Sequence, residues 1–289
     1  MRRDSSSRPA RILRGVGGAG HFADRLAAAV ERKGAPLCIG LDPDPALMPD
    51  GLGVVEFCCG IVDAVAELAV AVKPQAAFFE AQGADGWAAL VEVCGYARDV
   101  GLLVIADGKR GDVPSTARAY AAAFAPLADA VTVNPYLGYD SLEPFFEREG
   151  LGVLVIVKTS NPGSADLQDL PLGDGRPFWH HVASRVDEWG EQLVGESGLS
   201  SVGAVVGATH PELLETARSL MPRAVLLLPG VGAQGGRLED LAAAFTAGPA
   251  SALPSASRSV LYADRGEGWQ EAAAAEAGRL AGELRVAVG

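Results

Sequence analysis

The feature that most constrains this chain is a repeated alternation: short apolar runs, each followed by a longer helix-forming stretch, eight times over. The apolar runs lie at 36–41, 70–72, 102–107, 130–133, 152–157, 203–206, 225–228 and 259–262. Between and after them, residues 54–69, 84–100, 116–124, 139–149, 178–194, 211–221, 238–247 and 269–287 read as helices. One further helix, from His21 to Lys33, comes first, with Phe22, Leu26, Ala29 and Val30 on one face and Gly34 as its stop. Near-continuous apolar strands joined by helices belong to parallel sheets covered on both faces. Eight units predict a closed (β/α)8 TIM barrel with an extra N-terminal helix; an open doubly wound sheet is the second choice. Residues 1–18, rich in Arg, Ser and Gly and without an apolar core, read as a flexible tail. Residues 19–289 read as a single catalytic barrel domain, with no linker in the alternation.

Composition narrows the partners. A net charge of −12 argues against nucleic acid or an anionic membrane, and no run of apolar residues approaches the ~20 needed for a span. A small anionic substrate stays open, because a few local bases can outweigh a distant acidic surface. Cys38, Cys58, Cys59 and Cys94 form no zinc pattern and sit in apolar segments, which reads as buried free thiols in a cytoplasmic protein.

Chemistry concentrates after the third strand, in Asp107-Gly108-Lys109-Arg110-Gly111-Asp112. Residues two apart on a strand share a face, so Asp107 and Lys109 should project together. A surface ion cluster is the bland alternative, but Asp107 directly terminates an apolar run, at the strand end where barrel enzymes carry their catalytic groups. Pro114 and Ser115 mark the next helix start, with Ser115 as cap. Lys73 also ends an apolar strand; a lone ammonium there would be costly, and Asp107 on the neighbouring strand is its expected partner. Asp42, after the first strand, either binds a sugar hydroxyl or caps its own turn. Lys158-Thr159-Ser160-Asn161-Pro162-Gly163 is either a hydrogen-bonding site loop or a plain polar turn. His180 and His181 lie in a helix and read as surface residues. Segments 160–178 and 246–258, rich in small and turn-forming residues, are long enough to cover a site.

Gly230-Val231-Gly232-Ala233-Gln234-Gly235 formally matches a dinucleotide fingerprint. It comes late in the chain, however, and no acidic residue follows about 20 residues on for a ribose. A glycine-rich phosphate cup suits it better, since bare backbone N–H groups can approach phosphate oxygens closely. Such cups follow the seventh and eighth strands of barrels, and Arg258, just before the run 259–262, is placed to join it.

Taken together, Lys73-Pro74, Asp107-x-Lys109-x-x-Asp112, Ser160-Asn161-Pro162-Gly163, the Pro229–Gly236 loop and Ser257-Arg258-Ser259 resemble the orotidine 5′-phosphate decarboxylase family, in the family's order, from about residue 36 to 265. The wording around Lys158 resembles the longer bacterial branch, often called type 2. The resemblance implies a cofactor-free and metal-free enzyme that decarboxylates orotidine 5′-monophosphate, with Lys73, Asp107, Lys109 and Asp112 as an alternating charge network. It implies a homodimer in which Asp112 and Thr116 reach the partner's site. It further implies Asp42 on the ribose, Ser160 at the pyrimidine, and Gln234, Gly235 and Arg258 at the phosphate. Arg110-Gly111 departs from the apolar or aromatic residues of other branches. Related barrels that use an acid–lysine–acid motif with magnesium on sugar phosphates are the enzymatic alternative. There a glutamate stands where this chain has Lys73, and a lysine would repel the cation. A phosphate-binding barrel without catalysis is the third reading.

Overall fold

The computed structural model describes residues 20–208, 211–231 and 238–288. Eight parallel strands close into a barrel in sequence order. The elements are α1 (Phe22–Lys33), β1 (Cys38–Leu41), α2 (Val54–Val65), β2 (Ala71–Pro74), α3 (Ala76–Glu80), α4 (Gly83–Asp99), β3 (Leu103–Arg110), α5 (Pro114–Phe124) and β4 (Ala130–Val133). They continue with α6 (Glu143–Phe146), β5 (Gly152–Lys158), α7 (Ala165–Gln168), α8 (Phe178–Gly190), β6 (Ser200–Val206), α9 (Pro211–Leu220) and β7 (Ala224–Pro229). A 3₁₀ helix (Leu238–Phe245), β8 (Ala252–Ala256), α10 (Arg258–Leu261) and α11 (Trp269–Val288) complete the barrel. β8 pairs with β1 through Cys38–Ser255 and Ile39–Ala256, which closes the ring. The expected barrel is therefore the fold, and the open sheet is excluded. The expected tail, 1–18, lies outside the described residues.

Two cores result from strands whose side chains alternate inward and outward. One fills the layer between the strands and the surrounding helices. The other sits inside the barrel, where Ile105, Ala130, Leu154, Val225 and Leu253 meet Phe22, Leu26 and Val30 of α1. The first helix thus plugs the N-terminal floor of the barrel. Phe22 lies so close over Gly152 that a Cβ there would meet its ring at 2.4 Å, so β5 needs glycine at this position. Gly34, at φ 71°, ends α1 with its N–H on the Val30 carbonyl, as the sequence predicts.

Several local expectations need correction. The run 259–262 is not the eighth strand: residues 258–261 form α10, and the strand is Ala252–Ala256, within a segment expected to be a covering loop. Small residues and Pro254 disguise it, since proline argues against a central strand. Arg258 therefore follows β8 instead of preceding it, which still places it on the C-terminal rim. Ser115 is not a cap: α5 starts at Pro114, with Val113 in the cap position and no side-chain cap bond. The expected helix 139–149 breaks into short 3₁₀ turns and α6, with Gly138 at φ 92° between the turns and Pro144 near the start of α6. α3, which follows directly from Lys73-Pro74-Gln75, is a helix the sequence pattern did not reveal.

Candidate active site

The site is built on the ends of β2, β3 and β4. Lys73 and Asp107 are 6% and 4% exposed, and the Lys73 Nζ donates to Asp107 Oδ2 at 2.6 Å, the partnership expected from the cost of a buried ammonium. Lys109 Nζ donates to the other oxygen, Oδ1, at 2.5 Å, while its side chain remains 42% exposed at the barrel mouth. Asp107 thus receives two ammonium groups on one carboxylate. Burial works against its charge, but Lys73, followed by Lys109, outweighs burial and holds the carboxyl well below the usual carboxylate range. Burial likewise opposes the Lys73 charge, yet Asp107 and then Asp42 raise its pKa above the ordinary lysine value. Asp107 and Lys73 are therefore both ionised at neutral pH.

Asp107 and Lys109 do come together, but not by regular strand alternation. The pairing of β3 with β4 shifts between Ala106 and Arg110, and Lys109 adopts φ 46°, the only positive φ outside glycine among the described residues. That conformation costs about 1–2 kcal/mol for a residue with a Cβ. A compensating contact is present: the Lys109 backbone N–H donates to Thr132 Oγ1 at 3.0 Å.

Two polar side chains that sequence reasoning missed complete the carboxylate's shell. Gln75 Nε2 donates to Asp107 Oδ2 at 3.0 Å, and Thr132 Oγ1 donates to Oδ1 at 2.8 Å. Each oxygen therefore accepts from one ammonium and one neutral donor. Thr132 was discoverable as the lone polar residue in the apolar strand 130–133; Gln75 carried no signal beyond following Lys73-Pro74.

The other expected site residues sit on the same rim. Asp42, just past β1, accepts from Ser257 Oγ through Oδ2 at 2.5 Å, while its Oδ1 is buried and has no partner among the described residues. Tyr262 ties this turn down: its hydroxyl donates to the Asp42 carbonyl at 2.7 Å and accepts from the Asp44 N–H at 2.8 Å. Ser160 is exposed just beyond β5, and Arg258 is exposed at the start of α10. Below Ser160, the buried Lys158 holds Asp169 at 2.7 Å, and Gln168 receives the Thr159 N–H at 2.9 Å, pinning the 160–178 excursion to the barrel. Asp112 and Thr116 are half-buried on the turn and first coil of α5. The Asp112 carboxylate accepts from the Val113 N–H at 2.7 Å and joins no ion pair among the described residues, so the structure does not bring it to Lys109 of its own chain. Gln234 and Gly235 lie outside the described residues. Arg110, the departure from the family pattern, pairs with Glu80 and packs over the Tyr120 and Phe124 rings at 5.2 and 5.3 Å.

Cys38, Cys58 and Cys94 are buried free thiols and Cys59 is half-buried; burial pushes the Cys38 and Cys94 thiols up to about 12. They are packing groups, not nucleophiles.

The chain is similar to known proteins over most of its length. Residues 35–273 match the model of the orotidine 5′-phosphate decarboxylase / HUMPS family. The orotidine 5′-phosphate decarboxylase of Roseiflexus castenholzii is 47% identical over 277 residues, covering 93% of this chain and 98% of the relative. That of Rhodopirellula baltica is 45% identical over 278 residues, covering 87% and 92% respectively. Among solved structures, Leishmania donovani OMP decarboxylase superposes with a TM-score of 0.77 at 37% identity, over 92% of this chain and 100% of that one.

Proposed function

Because the chain belongs to the orotidine 5′-phosphate decarboxylase / HUMPS family, we propose that it converts orotidine 5′-monophosphate to uridine 5′-monophosphate and CO₂, the last step of UMP biosynthesis. The observation that carries this reading is the Lys73–Asp107–Lys109 chain of charges at the barrel mouth, with its outer ammonium open to a ligand. Breaking the C6–carboxylate bond leaves an electron pair in an sp² orbital that the ring π-system cannot delocalise. A fixed ammonium beside C6 stabilises that pair by charge, and transfer of one Lys109 proton forms the new C6–H bond. Such a slow uncatalysed reaction asks for about 20 kcal/mol of barrier lowering. Asp107 stands beside the leaving carboxylate, and Lys73 keeps Asp107 ionised and aimed. The framing of that proximity as ground-state destabilisation is contested, whereas preorganised charge needs no such assumption.

In this reading Asp42 receives a ribose hydroxyl on the buried Oδ1 that has no partner among the described residues. Ser160 contacts the pyrimidine, and Gln234, Gly235 and Arg258 bind phosphate. Phosphate lies far from C6, so its binding energy serves to order loops and exclude water. Asp112 and Thr116 serve the site of a second copy. Two facts support that part: Asp112 makes no ion pair with its own chain's described residues, and Val113, Tyr136, Leu137 and Tyr139 expose apolar surface on the strand-end side around it.

Purified protein mixed with orotidine 5′-monophosphate should remove its absorbance at an unchanged rate after exhaustive chelation. No turnover overturns the reading, and turnover lost on chelation and restored by Mg²⁺ favours a metal-dependent relative. Lys109→Ala and Asp112→Ala should each be nearly inactive, yet refolded together they should regain about a quarter of wild-type activity. Random association makes about half the dimers mixed, each with one intact site. Mixed dimers as inactive as their parents would place Asp112 in its own subunit's site.

A further inference from the structure

We infer that Thr132 is a positioning residue: its hydroxyl holds Lys109 in the left-handed conformation that delivers the ammonium to Asp107. The inference rests on the proposed role of Lys109. Three hydrogen bonds and one side chain form a closed ring. The Lys109 N–H donates to Thr132 Oγ1 at 3.0 Å, Thr132 Oγ1 donates to Asp107 Oδ1 at 2.8 Å, and the same Oδ1 accepts the Lys109 Nζ at 2.5 Å. The side chain of Lys109, from backbone to ammonium, closes the ring. A hydroxyl has one proton to give, and here it goes to the carboxylate while a lone pair takes the amide proton; neither alanine nor valine can do both.

The location makes this more than local packing. Thr132 is 1% exposed and is the one polar side chain of β4, opposite the place where β3 loses register between Ala106 and Arg110. There the backbone leaves the regular ladder and Lys109 turns to φ 46°. Regular pairing would have spent the Lys109 amide on a strand carbonyl; the bulge leaves it facing β4, where Thr132 is the acceptor. Without that acceptor, the amide is unsatisfied and Lys109 loses its own hydrogen bond to β4, which favours a return to ordinary φ that would swing the ammonium away from its working place. Lys73 and Gln75 hold the other carboxylate oxygen, so Asp107 itself stays in place.

The test compares hydroxyl-free and hydroxyl-bearing variants by steady-state kinetics. Thr132→Val, which keeps the shape, and Thr132→Ala should each lower kcat by about 10- to 100-fold. The affinity for UMP should stay near that of the wild type, because the Thr132 hydroxyl is hydrogen-bonded to Lys109 and Asp107. Thr132→Ser, which loses the methyl and keeps the hydroxyl, should restore kcat to about the wild-type value. Two hydroxyl-free variants that turn over like wild type overturn the inference, as does Thr132→Ser that is as slow as Thr132→Val, since packing would then be the cause. Lys109→Ala in parallel separates the two levels. If it is inactive while the Thr132 variants are normal, only the Thr132 assignment falls; if it stays active, the role of Lys109 falls and this inference with it.

Discussion

Asp107 and Asp129 are nearly matched in surroundings and opposite in consequence. Both are buried, at 4% and 3% exposure, and both face two cationic side chains. Asp107 lies in β3 just past its regular pairing, toward the C-terminal rim, whereas Asp129 precedes β4 at the floor. Asp129 receives Arg25 from α1, the Val104 N–H at 2.8 Å and, at 3.9 Å, Arg98. Arg25 gives its second nitrogen to the Gly150 carbonyl at 2.7 Å, so the guanidinium fork is committed to protein acceptors. This ion pair fastens the plugging helix to the barrel. Around Asp107 the outer cation is a lysine with three donors, open to solvent, held by a strained backbone. Burial and pairing are common to both aspartates; an accessible charge and a conformation that needs outside support mark the rim as the working end.

The comparison breaks most readily at Lys73. Lys73→Met should lower turnover by about 10³-fold, because the preorganised charge beside the reacting carboxylate is lost. It should also cost about 3 kcal/mol of stability, since the Asp107 charge would keep only one cationic partner, the exposed Lys109. Urea unfolding with kinetics on the folded protein checks both, and turnover within about tenfold of wild type would detach Lys73 from the chemistry. At the floor, Asp129→Asn should cost a similar amount, about 3 kcal/mol, while kcat per folded molecule stays within about twofold. A loss of kcat without a loss of stability would reverse the roles assigned to the two ends.

A smaller effect sharpens the rim. The Asp107 pKa is depressed on folding, so its contribution is complete above the unfolded carboxylate value near about 3.9 and is lost as pH falls through the lower folded value. The Lys73 pKa is raised, so its contribution is complete below about 10.4 and is lost only above that value. Between about pH 5 and 9 both groups keep one state. The stability difference between wild type and Asp107→Asn should therefore be flat across that range and shrink below about pH 4. A difference that changes steadily through neutrality would contradict the assigned shifts.

The barrel was legible because apolar runs alternate with helices along the whole chain, and because charge stops four of those runs at their C-terminal ends, at Asp42, Lys73, Asp107 and Lys158. Lys73 and Asp107 were legible for the same reason: an ammonium at an apolar strand's end needs a carboxylate nearby. What stayed hidden has physical causes. β8 is built from small residues and a proline, so it lacks the bulk that marks a strand. The meeting of Asp107 and Lys109 was foreseen through regular alternation, yet it comes about through a bulge and a left-handed lysine, which residue types do not encode. Gln75 and Thr132 act through single hydrogen bonds across strands, and only the register reveals which polar residue faces which carboxylate.

The central claim, that the rim ion network turns over orotidine 5′-monophosphate through its outer ammonium, is tested most directly by Lys109→Ala. The side chain is accessible and its backbone strained, so removing it should leave thermal stability close to wild type. Affinity for UMP should fall only modestly, while kcat for orotidine 5′-monophosphate should drop by about 10⁴-fold or more. A folded Lys109→Ala enzyme that still decarboxylates within about tenfold of the wild-type rate would contradict the account.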